Sequence, residues 1–109
     1  MMNSLSIAKQ IRSLSLELVF RAQASHIGSA LSIADLLAVF ISHPEICSFA
    51  KEGDQNYSAR DRLILSKGHA CVSYYSALHL KDFFSRDSLM TYGQDYSDFM
   101  NHASHKVPG

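Results

Sequence analysis

The sequence predicts an α/β chain that is mostly helical as it stands and carries part of a sheet rather than a whole one. Three observations predict this. Apolar residues recur at helical spacing from Asn3 to Ala24, a short apolar run from Leu63 to Ser66 reads as a buried strand, and a second helical stretch follows at once from Ala70 to Phe84. A single strand cannot satisfy its own edge N–H and C=O groups, and sheets average about five or six strands. The missing strands are therefore expected from more chain or from a partner, and the 109 residues read as one domain or part of one.

The first helix is the plainest element. Ile7, Ile11, Leu14, Leu18 and Ala22 form one stripe, widened by Leu5, Ala8 and Val19, while Lys9, Arg12, Glu17 and Arg21 fall mostly off it. This is an amphipathic helix covering a core, with no catalytic role expected. Ser25 to Leu31 breaks the pattern with small residues and Gly28, and reads as a loop interrupted by His26. Ser32-Ile33-Ala34-Asp35 fits an N-cap with an acid three residues on, opening a helix to about His43. Asp35 is accounted for by the helix dipole, Pro44 ends the helix, and His43 suits its C-terminal end.

Residues 44 to 61 read as a polar loop, with Gly53-Asp54-Gln55-Asn56 its clearest turn and Arg60-Asp61-Arg62 a solvated, salt-bridged approach to the strand. After Leu63-Ile64-Leu65 comes Ser66-Lys67-Gly68-His69. Gly68 allows a sharp turn, and the helix that follows starts with free N–H groups facing it. A strand end turning into a helix N-terminus favours phosphate. His69 stands at its mouth, where it either donates to a phosphate oxygen and moves a proton, or simply caps and packs. In the next helix Tyr74, Tyr75 and Leu78 suit packing on the strand, and His79 reads as structural or exposed. Ser85-Arg86-Asp87-Ser88 caps a short helix through about Tyr92, and the tail from Gly93 to Gly109 lacks helical spacing. His102 and His105 are three apart, but no third ligand is near and no metal site is assigned.

Composition excludes several functions. Ten basic and ten acidic residues leave no basic excess to drive counterion release, which argues against nucleic acid or an anionic membrane as the main partner. No apolar run approaches the ~20 residues of a membrane span, and no secretory signal is visible. Cys47 and Cys71, far apart and without CxxC spacing, read as reduced thiols of a cytoplasmic protein.

The string Arg60-Asp61-Arg62-Leu63-Ile64-Leu65-Ser66-Lys67-Gly68-His69-Ala70 closely resembles the DRF(I/V)LS(K/N)GH segment of transketolases. Ser25-His26-Ile27-Gly28-Ser29 with Ser32-Ile33-Ala34-Asp35 resembles their GHxG…S(I/M)(A/V)D segment, and Asn101-His102-Ala103 with Val107-Pro108-Gly109 resembles GHPE…TPG. The three segments stand in the family's order across nearly the whole chain, most like the separate amino-terminal polypeptide of the split-gene bacterial form. One departure is Ser25, where the family usually has glycine. A positive φ there would cost Ser roughly 1 kcal/mol.

The resemblance implies the start of a thiamine diphosphate-binding domain, a parallel sheet with covering helices, of which residues 1–109 are the amino-terminal part. It implies transfer of a two-carbon ketol unit between ketose and aldose sugar phosphates, in the carbohydrate metabolism of the pentose phosphate pathway. The cofactors implied are thiamine diphosphate and Mg2+. By motif, His69 with Gly68 would contact the cofactor's diphosphate, while His26 and His102 would hydrogen-bond substrate oxygens and assist proton transfer. The implied partner is a carboxy-terminal transketolase subunit or half, within a homo- or hetero-oligomer. The family's Gly-Asp-Gly…Asn segment, which holds the metal, is not in these residues, so the fragment alone is expected to be inactive. Two other readings stay open: a non-catalytic remnant acting as an interaction module, and part of a related thiamine diphosphate enzyme such as deoxyxylulose phosphate synthase.

Overall fold

Helix α4, Cys71–Leu80, lies at the centre of the fold and is buried on every side from Cys71 to Leu78. Its sequence explains this, since CVSYYSALHL offers no charged residue and only His79 near its end. The computed structural model describes residues 3–45, 61–100 and 107–108. Around α4 stand α1 (Ser4–Ala22), α2 (Ile27–Ser32), α3 (Ala34–Ser42) and the short α5 (Arg86–Leu89), with a 3-10 turn at Gly68–Ala70 leading into α4. No helix among the described residues is long and apolar enough to cross a membrane.

The first helix follows its apolar stripe. Asn3 caps it, its side-chain oxygen accepting from the Ser6 N–H at 2.8 Å, and Ile7, Ala8, Ile11, Ser15 and Leu18 face inward. It ends at Gln23 in the left-handed region (φ 51), with the Ala24 N–H donating to the Val19 carbonyl at 3.0 Å. α3 runs against α1, burying Ala34, Leu37, Ala38 and Ile41. At its end His43 leaves the helical region (φ -126, ψ 84) before Pro44, as a residue preceding proline is disfavoured in the helical conformation. The His43 ring then meets Glu45 at 2.9 Å.

Two expected boundaries differ. The span from Ser25 to Leu31 is not all loop, because α2 starts at Ile27. The break is confined to residues 23–26, and Ala30, fully buried, gives the short helix a core contact that Gly28 alone would not predict. Ser32 is the last residue of α2 rather than the cap of α3. Its hydroxyl donates to the Ser29 carbonyl at 2.8 Å, and Ile33 takes the cap position with no side-chain bond. Asp35, in the first turn of α3, is held by Arg12 of α1 at 2.7 Å, and that guanidinium lowers its carboxyl below the ordinary value.

α4 ends at Leu80, short of the expected Phe84. Asp82 adopts the left-handed region (φ 66) and the Phe83 N–H closes onto the Leu78 carbonyl at 3.1 Å. His79 is structural, bonded through Nδ1 to the Phe84 carbonyl at 3.0 Å and stacked on the Phe84 ring. Ser85 caps α5 as expected, accepting from the Ser88 N–H, although α5 itself stops at Leu89 and gives way to turns through Tyr92.

No strand forms among the described residues, and residues 61–65 carry no regular structure. Their burial still alternates: Leu63 and Leu65 lean on the core while Ile64 is 88% exposed. That is the side-chain pattern of an extended segment, with no ladder partner among the described residues to make it a strand.

The segment 93–100 folds back on α4 through aromatic contacts. Phe99 meets Tyr75 at 5.3 Å and Phe84 at 4.7 Å, both edge to face. Gly93 begins this return at φ 75, its N–H donating to the Phe99 carbonyl, and a Cβ there would sit 2.8 Å from the Ala22 methyl. Gly93→Ala therefore lowers stability by about 1–3 kcal/mol. Gly28→Ala, placed in a helix with nothing within 4 Å of the new Cβ, raises it by about 0.5–1 kcal/mol. Thermal denaturation of the two variants checks the opposite signs.

Candidate functional site

His26 and His69, 43 positions apart in the chain, stand with ring centroids 5.5 Å apart and planes at 61°. Both are half-buried. His26 is the residue before α2 and takes the left-handed conformation (φ 74). The positive φ considered for Ser25 thus falls on the histidine itself, a residue type enriched in that region, at a cost of roughly 1–2 kcal/mol. Such strain is retained when the surroundings over-determine it, as at many functional sites.

His69 is the middle residue of the 3-10 turn Gly68–Ala70. The turn is closed by the Ala70 N–H donating to the Lys67 carbonyl at 2.9 Å. Gly68 does not occupy the left-handed region, so the turn is made by 3-10 winding, not by glycine's positive φ. It runs directly into α4, whose N-terminal end carries the positive end of the helix dipole.

One side-chain bond ties the two histidine-bearing segments together. Lys67 Nζ donates to Ser32 Oγ at 2.7 Å, across 35 positions of chain. Sequence reasoning missed this pair, reading Lys67 as part of a turn and Ser32 as a helix cap. The available signal was the lysine itself, one cation in a turn otherwise made of small residues and a histidine.

Behind His69, the Cys71 thiol is buried and donates to the Met100 carbonyl at 3.2 Å. Burial pushes that thiol up to about 11 and the neighbouring Tyr92 hydroxyl up to about 12. Both are protonated at neutral pH, so Cys71 is a packing and hydrogen-bonding group rather than a nucleophile. Both folded values are raised, so their stabilising contribution is complete below the unfolded values and is lost as pH rises through the folded ones. Stability should therefore fall between about pH 9 and 12. Cys71→Ala should flatten the lower part of that decline in denaturant titrations.

His102, the third motif histidine, and His105 lie outside the described residues, as do Cys47, Gly53–Asn56 and Arg60. Among the described residues no three His, Cys, Asp or Glu side chains converge to hold a metal ion. Surface hollows of about 300 Å³ beside Thr91 and Asp98 and about 230 Å³ beside Glu17 and Arg86 are lined by neither His26 nor His69. The histidine pair stands at the head of α4, where its ring nitrogens can donate hydrogen bonds to oxygen-rich ligands.

Residues 3–106 match the family described as transketolase, thiamine diphosphate binding domain. The chain is 33% identical over 93 residues to one subunit of the apulose-4-phosphate transketolase of Phocaeicola vulgatus, covering 85% of this chain and 32% of that one. It is 37% identical over 76 residues to transketolase 1 of Escherichia coli, covering 68% of this chain and 11% of that one. With transketolase 2 of Aliivibrio fischeri it is 32% identical over 106 residues, which is 93% of this chain and 15% of that one. The chain thus spans about a third of the Phocaeicola relative and a smaller share of the longer ones.

Proposed function

Given that the chain belongs to the transketolase thiamine diphosphate-binding domain family, we propose that it is the amino-terminal part of an enzyme transferring a two-carbon ketol unit between sugar phosphates. The observation that carries this reading is the approach of His26 to His69 at the head of α4. Two motif histidines from distant segments meet where a phosphate-bearing ligand gains from imidazole donors and a helix N-terminal end.

The donor chemistry fits thiamine diphosphate. When bound, that cofactor supplies a thiazolium that stabilises a carbanion. His69 holds a diphosphate oxygen, and Gly68 beside it lets the backbone come close. His26 donates to a sugar oxygen and carries a proton to or from it. His102 likewise hydrogen-bonds a substrate oxygen and assists proton transfer. Mg2+ completes the diphosphate site through ligands beyond these residues.

Residues 63–65 contribute one strand of a parallel sheet, as their alternating burial suggests, with neighbouring strands supplied by the rest of the domain. A carboxy-terminal subunit or half completes the enzyme, in keeping with the Phocaeicola relative, which is itself named as one subunit of a transketolase. It works as an oligomer in cytoplasmic pentose phosphate metabolism.

In the full-length protein with its carboxy-terminal partner, His69→Ala should weaken thiamine diphosphate binding by about 10- to 100-fold in calorimetry, the loss of one hydrogen bond to a charged group. His26→Ala should lower kcat/KM for ketol transfer by about 10²- to 10⁴-fold with smaller effect on cofactor affinity. Cofactor binding and turnover indifferent to both substitutions would overturn the reading. Residues 1–109 alone should bind the cofactor weakly or not at all, and micromolar affinity would contradict that.

A further inference from the structure

Lys67 makes an unusual contact for a surface lysine. Its ammonium donates at 2.7 Å to the neutral hydroxyl of Ser32, and it forms no ion pair with a carboxylate among the described residues. Holding a long side chain in one geometry costs it rotamer freedom. What that ordering achieves is set by what stands at each end. Ser32 is the last residue of α2, and its hydroxyl hydrogen is committed to the Ser29 carbonyl at 2.8 Å, which aims the oxygen lone pairs outward for Lys67. α2 opens directly after His26. At the other end, the Lys67 carbonyl accepts from the Ala70 N–H, closing the turn that holds His69 at its middle.

The path therefore runs from His26 through one short helix to Ser32, across the ammonium to Lys67, and through one tight turn to His69. We propose that Lys67 is a positioning residue, which through Ser32 sets the separation of the His26 and His69 rings. It acts on the site through geometry; its role rests on the reading above only in so far as the two rings form a cofactor and substrate site. Neither neighbour can substitute: Ser66 is too short to span the gap, and Gly68 has no side chain. The bond also explains why Ser32 faces out of its helix and leaves the α3 cap position to Ile33.

The test uses the full-length protein with histidine labelled for NMR, in wild type, Lys67→Met, Ser32→Ala, the double variant and Lys67→Arg, each also titrated with thiamine diphosphate by calorimetry. The His26 and His69 ring protons should show direct cross-relaxation in the wild type. That signal should fall at least threefold in Lys67→Met and in Ser32→Ala, fall no further in the double variant, and return in Lys67→Arg, which keeps a donor. Cofactor affinity should drop about tenfold alongside it, the scale lost when a side chain that orients a ligand is removed. An unchanged ring contact in Lys67→Met, or additive losses in the double variant, would overturn the proposal. Loss of the ring contact with unchanged cofactor affinity would support the positioning role and instead count against His69 as a diphosphate ligand. Lys67 and Ser32 are not in the core, so melting temperatures should stay within a few degrees and separate positioning from misfolding.

Discussion

Burial of α4 on all its faces is the constraint from which the rest of the described structure follows. A helix with no solvent side must be surrounded, and α1, α2, α3, α5 and the returning segment 93–100 supply the surround. Because the helix cannot shift without disturbing all of them, its first turn is a fixed point. His69 stands immediately before that turn. A mobile loop histidine would pay the entropy of ordering each time it met a ligand, whereas one anchored to a central helix has already been ordered by folding. The site therefore inherits its rigidity from the core rather than generating it locally.

The second histidine is brought up by a different device. α2 is too short to be stable by itself, and it persists because Ala30 is buried and because its ends are held. One end turns through the strained backbone of His26, and the other is tied to the His69 turn by Lys67. Core packing fixes the backbone beside one ring, and a polar contact nearer the surface ties the segment carrying the other to it. The two kinds of interaction differ in strength and in sensitivity to solvent, which separates the stability of this fold from the tuning of its site.

Much of this was legible in the residues. The stripe Ile7, Ile11, Leu18 marked α1 to within a few residues because amphipathic spacing is a direct consequence of having one buried face. Ser85 marked α5 because capping is local chemistry. The errors lie where tertiary contact overrode local signal. A glycine- and serine-rich stretch formed α2 because the core received Ala30, and Ser32 gave up its expected cap to bond Lys67. α4 stopped early because Asp82 accepted a left-handed turn that composition does not announce. The motif histidines were visible as residues, but their approach depends on how α2 and the 3-10 turn pack, which no spacing reveals. The strand expected at residues 63–65 illustrates the opposite limit: its side-chain alternation is a property of the segment, and its ladder is a property of whatever lies beside it.

The central claim is that His26 and His69 form one site for a diphosphate-bearing cofactor and its sugar substrate. A crystal structure of the full-length protein with its partner, thiamine diphosphate and magnesium would test it most directly. A diphosphate oxygen should lie within hydrogen-bond distance of the His69 imidazole, with the His26 imidazole facing the same ligand. A diphosphate seated elsewhere, with the two rings still together but touching neither cofactor nor substrate, would contradict it and leave the pair a structural contact.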